Sequence, residues 1–412
     1  MGLSFSTCKN FVKLECSLRR VWCLRYGTVQ SVNPERKKRR SIDGPLPAGD
    51  AYGTTLRSIG LNAGLHSVGV TSVDPLDRAR EQIQQRIDND FVNDMQFTFR
   101  NPVRSTTPSL TVQDAHTIIV GAYSYFVEDV DEGLGTPAHI ARYAWFDAHH
   151  QMREALTAMK DQLRTDGHRA VVFADDNAIV DREIAYRAGI GWFGKNSNIL
   201  VPGAGSYFVL GCVVTTAQLP LSEPVADSCG TCTRCIPACP TDAIAAPGVI
   251  DANRCLSWLL QKPGVFDRRF RVALGSRIYG CDDCQSSCPH TQRWSVPVTL
   301  RSPVRRAIET QWILESSDTD ILQECESWYI HERNPQWIRR NALIIMGNTA
   351  QPTDAWVHAA LQSYTTSAEP VLRAQAIWAA ARLGLTAYVP HHDADPVVAD
   401  ELLHLPTLRD DL

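Results

Sequence analysis

Hydrophobic positions along residues 50–222 switch between a helical period and continuous apolar runs, which predicts alternating helices and strands. Helical spacing of apolar residues marks Thr55–Leu65, Pro75–Asp88, His149–Asp166 and Val180–Ala188. Runs rich in β-branched residues mark strands at His66–Val73, Thr117–Tyr123, Ala170–Ala174 and Tyr207–Thr215. Strands that alternate with helices are typical of an α/β layer fold. We therefore expect an α/β domain over residues 50–222.

The rest of the chain changes character at two points. Residues 223–298 are rich in cysteine and predict a module that wraps metal clusters rather than a large apolar core. Residues 299–412 predict short helices, and Arg339–Gly347 resembles Arg373–Ala381 at a period of 34 residues. A HEAT-like helical repeat would give this period, and two ordinary amphipathic helices are the alternative. Stacked helical repeats present a concave surface that often binds a large ligand.

Residues 1–49 form a basic extension that we expect to be disordered. The first 45 residues hold ten Lys and Arg against three Asp and Glu, while the whole chain has a net charge of −4. The run Arg36–Arg40 also fits an RNA-binding arm or a targeting signal, Met1–Ser6 fits a myristoylation signal, and a start codon placed too far upstream is a further alternative. No apolar stretch reaches the roughly 18 residues of a membrane span, and no secretory signal is present. We expect a cytoplasmic protein without a membrane partner.

Eight of the thirteen cysteines follow the spacing of bacterial two-cluster ferredoxins. The first run is Cys229-x2-Cys232-x2-Cys235-x3-Cys239-Pro240, and the second is Cys281-x2-Cys284-x3-Cys288-Pro289. In such proteins three cysteines of a run bind one 4Fe–4S cluster and the fourth binds the other. This rule assigns the first cluster to Cys229, Cys232, Cys235 and Cys288. The second cluster takes Cys239, Cys281 and Cys284, and Cys255 is the nearby thiol that completes the set because Ile278 stands at the symmetric position.

Two other uses of these cysteines fit less well. A disulfide framework requires an oxidising compartment, and the chain has no secretory signal. Structural zinc sites usually combine two separated C-x2-C pairs, whereas three cysteines at x2, x2 and x3 before a proline are typical of iron–sulfur proteins. The spacing therefore predicts one-electron chemistry.

A candidate reaction site follows the strand Ala170–Ala174. Asp175 and Asp176 stand at its carboxyl end, where α/β folds often place acid–base groups. The segment Arg187–Asn196 then holds three glycines in six residues, which would let the backbone approach a flat cofactor closely. The alternative is a turn with ordinary capping aspartates.

These segments together resemble the epoxyqueuosine reductase family, which acts on queuosine precursors in tRNA. The resemblance covers residues 50–300, and the helical tail fits it as well. The residues that carry it lie in Asp181–Asn196, Gly205–Tyr207, Cys229–Cys235, Ala238–Ala243, Cys255–Ser257 and Tyr279–Gln285.

The resemblance implies a cobalamin cofactor beside the two clusters and a reductive reaction on an epoxide. It implies that Asp175 is the proton donor, with Asp176 as the local rival. It also implies cobalamin contacts from Ile199 and Leu210 through backbone groups, and from Ser257, Cys281 and Asp282. Plain strand core is the alternative for Ile199 and Leu210, and a solvated hydroxyl is the alternative for Ser257.

The chain departs from the family pattern in two stretches. Phe146 stands where a glycine is usual, and Ala148-His149 replaces an Asp-Tyr pair. Ser109 replaces the arginine of an Asp-Pro-Arg sequence. Both stretches are expected to border the corrin or the substrate, so they leave the exact substrate open. Adjacent histidines at 149 and 150 do not share a helix face, which argues against cobalt ligation by both.

The implied partners are a tRNA that carries epoxyqueuosine and an external low-potential donor of the flavodoxin or ferredoxin type, with the protein as a monomer. Global charge gives no sign of a nucleic-acid partner, so a local basic patch is required. Such a patch is predicted at Arg268, Arg269, Arg271 and Arg277, with a solvated helix face as the alternative. The competing functions are a dehalogenase-like corrinoid reductase and a ferredoxin-like electron carrier.

Overall fold

The structure is a computed structural model that describes residues 45–128, 133–295, 297–298 and 304–411. The basic run and the three cysteines of the amino-terminal extension lie outside the described residues. Residues 46–411 belong to one compact unit. Within the described residues, no helix is both long and apolar enough to cross a membrane.

The predicted helices and strands of residues 50–222 are present with shifts of a few residues at their ends. The strands are β1 (Ser67–Ser72), β2 (Thr117–Ser124), β3 (Pro137–Ile140), β4 (Ala170–Ala174), β5 (Trp192–Phe193), β6 (Ile199–Leu200) and β7 (Phe208–Thr215). The α-helices are α1 (Gly49–Asn62), α2 (Asp77–Asp88), α3 (Pro102–Ser105), α4 (Ala148–Thr165) and α5 (Asp181–Arg187). Short 3₁₀ helices span Phe97–Phe99, Pro108–Leu110 and Arg142–Ala144.

Four strands form the central sheet in the order β1-β2-β7-β4, and all neighbours are antiparallel. Its two faces carry separate cores because side chains alternate along a strand. One face holds Ile119 and Val213 against α4, and the other holds Cys212 and Val214 in the core that contains α5. The mixed α/β architecture predicted from the sequence is confirmed.

A pair of glycines explains how α4 approaches this sheet so closely. Gly121 and Gly211 face each other in the β2–β7 register. A Cβ on Gly211 would lie 2.9 Å from side-chain atoms of both Leu156 and Met152 on α4. The glycines therefore make room for two large apolar side chains that seal this face.

The cysteine module and the carboxy-terminal segment add short elements. The module has β8 (Ile244–Ala246), β9 (Val249–Ile250), α6 (Leu256–Leu259), α7 (Arg268–Leu274), β10 (Arg277–Tyr279), α8 (Asp283–Ser286) and α9 (Pro289–Trp294). The carboxy-terminal segment has β11 (Ala307–Glu309), α10 (Thr310–Glu315), α11 (Asp318–Glu324), α12 (Gln336–Thr349), α13 (Ala355–Tyr364), α14 (Pro370–Arg382) and α15 (Pro396–Leu403). Further 3₁₀ helices span His331–Arg333 and Thr386–Tyr388.

A second sheet joins all three segments of the chain. Its order is β10-β3-β11, with β10 parallel and β11 antiparallel to β3. One strand comes from residues 50–222, one from 223–298 and one from 299–412. The three segments are therefore joined by backbone hydrogen bonds. They share a core, so the predicted boundaries do not separate three independent cores.

The two helices with similar sequence pack against each other. Gly347 of α12 faces α14, and a Cβ there would lie 2.8 Å from the Trp378 ring and 3.0 Å from the Ala379 Cα. Asn348 and Arg382, which are 34 residues apart, share a hydrogen bond of 3.3 Å. The helical repeat itself stays a prediction.

Candidate functional site

The first predicted cysteine quartet surrounds one pocket. Cys229, Cys232, Cys235 and Cys288 all line it, together with Lys195, Asn196, Leu200, Pro289 and His290. Burial raises the pKa of the Cys235 thiol, and the nearby Cys288, Cys229 and Cys232 raise it further. Four thiols around one pocket are the donor set of a 4Fe–4S cluster, because each iron takes one thiolate.

The second quartet is partly assembled. Burial raises the pKa of the Cys284 thiol, and the nearby Cys255, Asp282 and Cys239 raise it further. Cys281 directs its thiol to the carboxylate of Asp283 at 3.1 Å. The structure thus brings Cys239, Cys255 and Cys284 together and places Cys281 on the same loop as Cys284. No group of three or more His, Cys, Asp or Glu within the described residues is compact enough for a single metal ion.

The segment Arg187–Asn196 holds the cysteine module in place. Lys195 donates to the Gly230 carbonyl at 2.7 Å, and Asn196 donates to the Cys284 carbonyl at 2.9 Å. Both accepting carbonyls lie within two residues of predicted cluster ligands. This segment therefore positions both cysteine runs from outside the module.

The glycines of this segment approach protein backbone, which differs from the close approach to a cofactor expected from the sequence. A Cβ on Gly191 would lie 2.2 Å from the Leu200 carbonyl oxygen, and one on Gly189 would lie 2.3 Å from that of Glu223. These distances leave no space for a side chain. The glycines therefore allow two chain segments to cross beside the first quartet.

Asp175 lies at the carboxyl end of β4 in an unusual backbone conformation. Its φ of +53° is in the left-handed region, which is rare for residues other than glycine and frequent at functional sites. The β4–β7 pairing ends at Ala174, which pairs with Gly211, so Asp175 directly follows the last paired residue of the strand. Asp175 is exposed. Asp176 instead accepts a hydrogen bond from the Ala178 amide at 2.8 Å, as a turn residue does.

A third carboxyl group lies near this pair. Asp181 is the first residue of α5, and burial raises its pKa well above the usual range, with Asp175 raising it further. Asp181 is partly exposed to solvent. Its raised pKa therefore reflects both the surrounding protein and the negative charges of Asp175 and Asp176. Asp181 was not singled out from the sequence, because its neighbours in space lie on another element.

Two tyrosines connect Asp175 with the predicted cobalamin contacts. Burial raises the pKa of Tyr279, and the Asp175 carboxylate is close enough to raise it further. The ring of Tyr143 lies 6.0 Å from that of Tyr279. Burial also raises the pKa of Tyr143, and the nearby Asp282 carboxylate raises it further. The Tyr143 hydroxyl is hydrogen-bonded to Ser257. The structure therefore gathers Asp175, Ser257 and Asp282 around one tyrosine pair.

Asp282 is half-buried and hydrogen-bonded on both carboxylate oxygens. It accepts from the Arg142 amide at 2.5 Å and from the Gln285 side chain at 3.3 Å. Burial raises its pKa to about 6, against the opposing effect of the Arg142 amide. Gln285 in turn accepts from Tyr125 and Ser206, each at 3.1 Å, which ties this loop to the central domain.

The two apolar residues of the predicted cobalamin site lie on the α5 side of the sheet. Ile199 is buried in that core, and Leu210 packs against it while remaining partly exposed. Leu210 directly precedes Gly211, the partner of Ala174 at the end of β4. Ile199 satisfies the plain-core alternative as well.

The predicted basic patch for tRNA is wrong in its details. Arg271 is fully buried and forms a bidentate pair with Glu401 at 2.8 and 3.0 Å. Arg268 pairs with Asp400 and Glu401, Arg269 with Asp267, and Arg277 with Asp283. All four guanidinium groups are therefore matched by carboxylates, and α7 is fixed to α15 instead of offering free positive charge.

The sequence departures fall on ordinary structural positions. Phe146 is buried in the core beside α4, Ala148 begins that helix, and Ser109 is exposed in a 3₁₀ helix. His150 pairs with Glu154 at 3.5 Å, and His149 is the half-buried neighbour. The two histidines therefore lie on different faces of the helix, as their adjacent positions predict.

Sequence reasoning missed a clamp that α12 makes on the cysteine module. Arg340 is buried and donates to the carbonyls of Lys262 at 2.6 Å and Gly264 at 2.8 Å, and to those of Leu259 and Leu260. Asn341 donates to the carbonyls of Leu260 and Ile278. Burial lowers the pKa of Arg340 to about 9, so the side chain stays cationic at neutral pH. The only sign of this clamp in the sequence was the polar pair Arg340 and Asn341 within an apolar helical segment.

Comparisons with known proteins agree with this arrangement. A family model described as a 4Fe–4S double cluster binding domain matches residues 228–291. An epoxyqueuosine reductase of Vibrio cholerae is 34% identical over 305 residues, which cover 70% of this chain and 81% of the relative. One of Xanthomonas campestris is 30% identical over 345 residues, which cover 80% of this chain and 96% of the relative.

Solved structures extend the likeness to the whole fold. The epoxyqueuosine reductase of Bacillus subtilis, captured with its catalytic aspartate loop swung out of the active site, superposes with a TM-score of 0.77 at 26% identity. That comparison covers 86% of this chain and 97% of the other. A structure of epoxyqueuosine reductase with an epoxyqueuosine-modified tRNA-Tyr stem loop gives the same values. With two cysteine groups beside an aspartate-tipped strand, and with relatives above 30% identity along most of their length, this chain belongs to the epoxyqueuosine reductase family.

Proposed function

We propose that this protein reduces the epoxide of epoxyqueuosine in tRNA to give queuosine. The observation that carries the proposal is the first cysteine quartet around one pocket in a chain of this family. Cys239, Cys255 and Cys284 also lie together, and Asp175 lies near Tyr279. Conversion of an epoxide to an alkene consumes two electrons and two protons and releases one water. The site must therefore supply both electrons and an acid.

The chain's own residues fit the cofactors of this reaction. Cys229, Cys232, Cys235 and Cys288 hold one 4Fe–4S cluster, and Cys239, Cys255, Cys281 and Cys284 hold the other. Ser257, Cys281 and Asp282 would contact cobalamin with their side chains, and Ile199 and Leu210 would do so through backbone groups. When bound, the clusters would carry single electrons and the corrinoid would supply the reducing power for the substrate.

Asp175 gives the proton to the epoxide oxygen. An epoxide oxygen is a poor leaving group until it is protonated, and a positioned carboxylic acid lowers this barrier. Three observations support Asp175 over Asp176: the left-handed backbone at Asp175, its proximity to Tyr279, and the hydrogen bond that occupies Asp176. Asp181 lies near both aspartates, and their charges add to the burial that raises its own pKa.

The organisation of the chain follows from this role. Residues 50–222 form the cobalamin-binding catalytic part, residues 223–298 the double-cluster module, and residues 299–412 a HEAT-like helical part that contributes to tRNA binding. A low-potential flavodoxin or ferredoxin supplies electrons to a monomeric enzyme.

An anaerobic assay tests the function directly. The purified protein, loaded with clusters and cobalamin, is given chemical reductant and tRNA that carries epoxyqueuosine, and the digested nucleosides are quantified by mass spectrometry. We expect queuosine to appear only with both cofactors present. Reduction of a halogenated aromatic without queuosine formation would favour the dehalogenase-like alternative, and absence of a protein-bound cobalt EPR signal would favour the electron carrier.

A further inference from the structure

An exposed aromatic pair lies beside the tyrosines of the proposed site. The side chain of Tyr329 is 42% exposed, and its ring meets that of Phe97 edge to face at a centroid distance of 5.5 Å. Phe97 is half-buried and also meets the Trp258 ring edge to face at 5.9 Å. The two rings thus form a supported surface, which we call the aromatic platform (Phe97 and Tyr329).

Hydrogen bonds and stacking fix this platform to the proposed active site. The Tyr329 amide donates to the Tyr279 hydroxyl at 2.9 Å. Tyr279 lies near enough to Asp175 for the carboxylate to raise its pKa. Tyr279 also stacks on Trp328 at 4.3 Å with an interplanar angle of 15°. On the other side, Trp258 directly follows Ser257 and donates to the Asn93 carbonyl at 2.9 Å. The platform therefore lies between the elements that carry the proposed acid and a proposed cobalamin contact.

Positive charge follows the platform along the chain. Arg100 and Arg104 come shortly after Phe97 and are exposed, and neither forms an ion pair with a carboxylate in the described part of the chain. The arginines of α7 differ, because each of them has a carboxylate partner. Exposed guanidinium groups that follow an aromatic pair closely in the chain match a ligand with both flat faces and phosphates.

We propose that Phe97 and Tyr329 stack against unpaired bases of the substrate tRNA while Arg100 contacts an adjacent phosphate. The proposal rests on the proposed function and deepens it by naming where the RNA is held. Single-stranded nucleic acids are recognised by aromatic stacking combined with basic side chains, since every base offers a π face. An enzyme that acts on a base must also hold its neighbours while that base enters the site.

RNA binding by the intact, cluster-loaded protein tests the platform. The probe is a fluorescein-labelled, unmodified anticodon stem-loop RNA, measured by anisotropy at fixed salt. We expect Phe97→Ala and Tyr329→Ala each to weaken binding by roughly 5- to 100-fold, the loss expected for one stacked base. Tyr329→Phe keeps the ring and should bind within about twofold of the parent protein. Trp312→Ala removes an equally large exposed ring on α10 and is the matched control.

The arginine is tested by salt dependence. A phosphate contact releases bound counterions, so Arg100→Gln should reduce the slope of log K against log salt by roughly 0.7 to 0.9. The alanine variants of the platform should leave that slope unchanged. An unchanged slope in Arg100→Gln would remove the phosphate contact from the proposal.

Two outcomes would overturn the platform itself. Equal RNA affinity of the parent protein and the Phe97→Ala/Tyr329→Ala double variant, with unchanged cluster absorbance, would show that the rings do not hold RNA. Loss of cobalamin with unchanged RNA affinity would assign the rings to the cofactor. Failure of the proposed function looks different, because the parent protein would then bind the stem-loop through the platform without forming queuosine.

Discussion

The two cysteine quartets of this protein are built in different ways. The first takes three members from one short run, Cys229–Cys235, and surrounds a single pocket. The second draws Cys239, Cys255 and Cys284 from three separate places, and burial dominates the raised pKa of Cys284. A local sequence is therefore sufficient to outline the first site, whereas the second depends on how the surrounding segments pack.

The packing that completes the second site comes from the carboxy-terminal helices. Cys255 and Ser257 stand at the start of α6, and the carbonyls that end this helix accept hydrogen bonds from Arg340 of α12. The first quartet receives its support from Lys195 in the central domain. Each quartet is thus held by a different part of the chain, which makes the comparison testable by substitution.

Removal of a ligand should give the largest effect. Cys232→Ala should lose the first cluster and Cys255→Ala the second, each with retention of the other, because the two donor sets share no cysteine. Iron analysis and EPR of the reduced protein would measure this, and the iron content should fall by roughly half in each variant. Loss of both clusters in Cys255→Ala alone would show that the first site depends on the second.

Asp175→Asn should separate chemistry from electron supply. We expect both clusters and the corrinoid to remain and turnover to fall by roughly 10²- to 10⁴-fold, as is typical when a general acid is removed. Single-turnover measurement with prereduced protein would check this. Asp176→Asn is the matched control, and a larger loss in that variant would transfer the role of acid to Asp176.

Arg340→Met should weaken the second site while it spares the first. The substitution removes the side-chain donor from the carbonyls of Leu259, Lys262 and Gly264, whereas Leu260 keeps Asn341. At about 1–3 kcal/mol for each unsatisfied group, we expect the free energy of unfolding to fall by about 3 kcal/mol or more. The EPR signal of the second cluster should decrease or broaden first. Arg339→Met is the control, because Arg339 pairs with the exposed Asp318. Equal loss of both cluster signals would contradict a selective clamp.

Asp181→Asn should have the smallest effect and should depend on pH. Burial raises the folded-state pKa of Asp181 above its unfolded value, so the unfolded chain releases this proton first as pH rises. The carboxyl therefore costs stability increasingly above about pH 4, and the amide variant cannot ionise. We expect Asp181→Asn to become more stable than the parent protein at pH 8 and to match it near pH 4. Thermal unfolding at both pH values measures this, and a parent protein more stable than the variant at pH 8 would show that folding lowers the pKa of Asp181 instead.

The comparison of relatives and structure confirms much that the sequence predicts. The helices and strands of residues 50–222 follow from apolar periodicity, since burial on one face imposes that period. The family follows from cysteine spacing together with the glycine-rich segment. The glycines themselves were misjudged, because a sequence does not show whether a close approach is to a cofactor or to a crossing backbone.

The arginines show that the sequence alone does not predict whether a basic side chain is free or paired. A run such as Arg268–Arg271 has the same charge whether it faces solvent or a carboxylate from a distant helix. Only the packing of α15 on α7 decides that Arg271 is buried against Glu401. Conversely, Phe97 and Tyr329 carry no sequence pattern, and the contact between their rings becomes visible only in the fold.

The sequence by itself determined the class of cofactor and the family of the protein, and it predicts the ligands of the first cluster, because these depend on residue type and on the spacing within the two cysteine runs. The tertiary structure decided which carboxylates gather near Asp175, which cations remain free and how Cys255 is held beside Cys284. Those features join residues far apart in the chain, and their energies arise from burial and charge neutralisation, which exist only after the segments have packed.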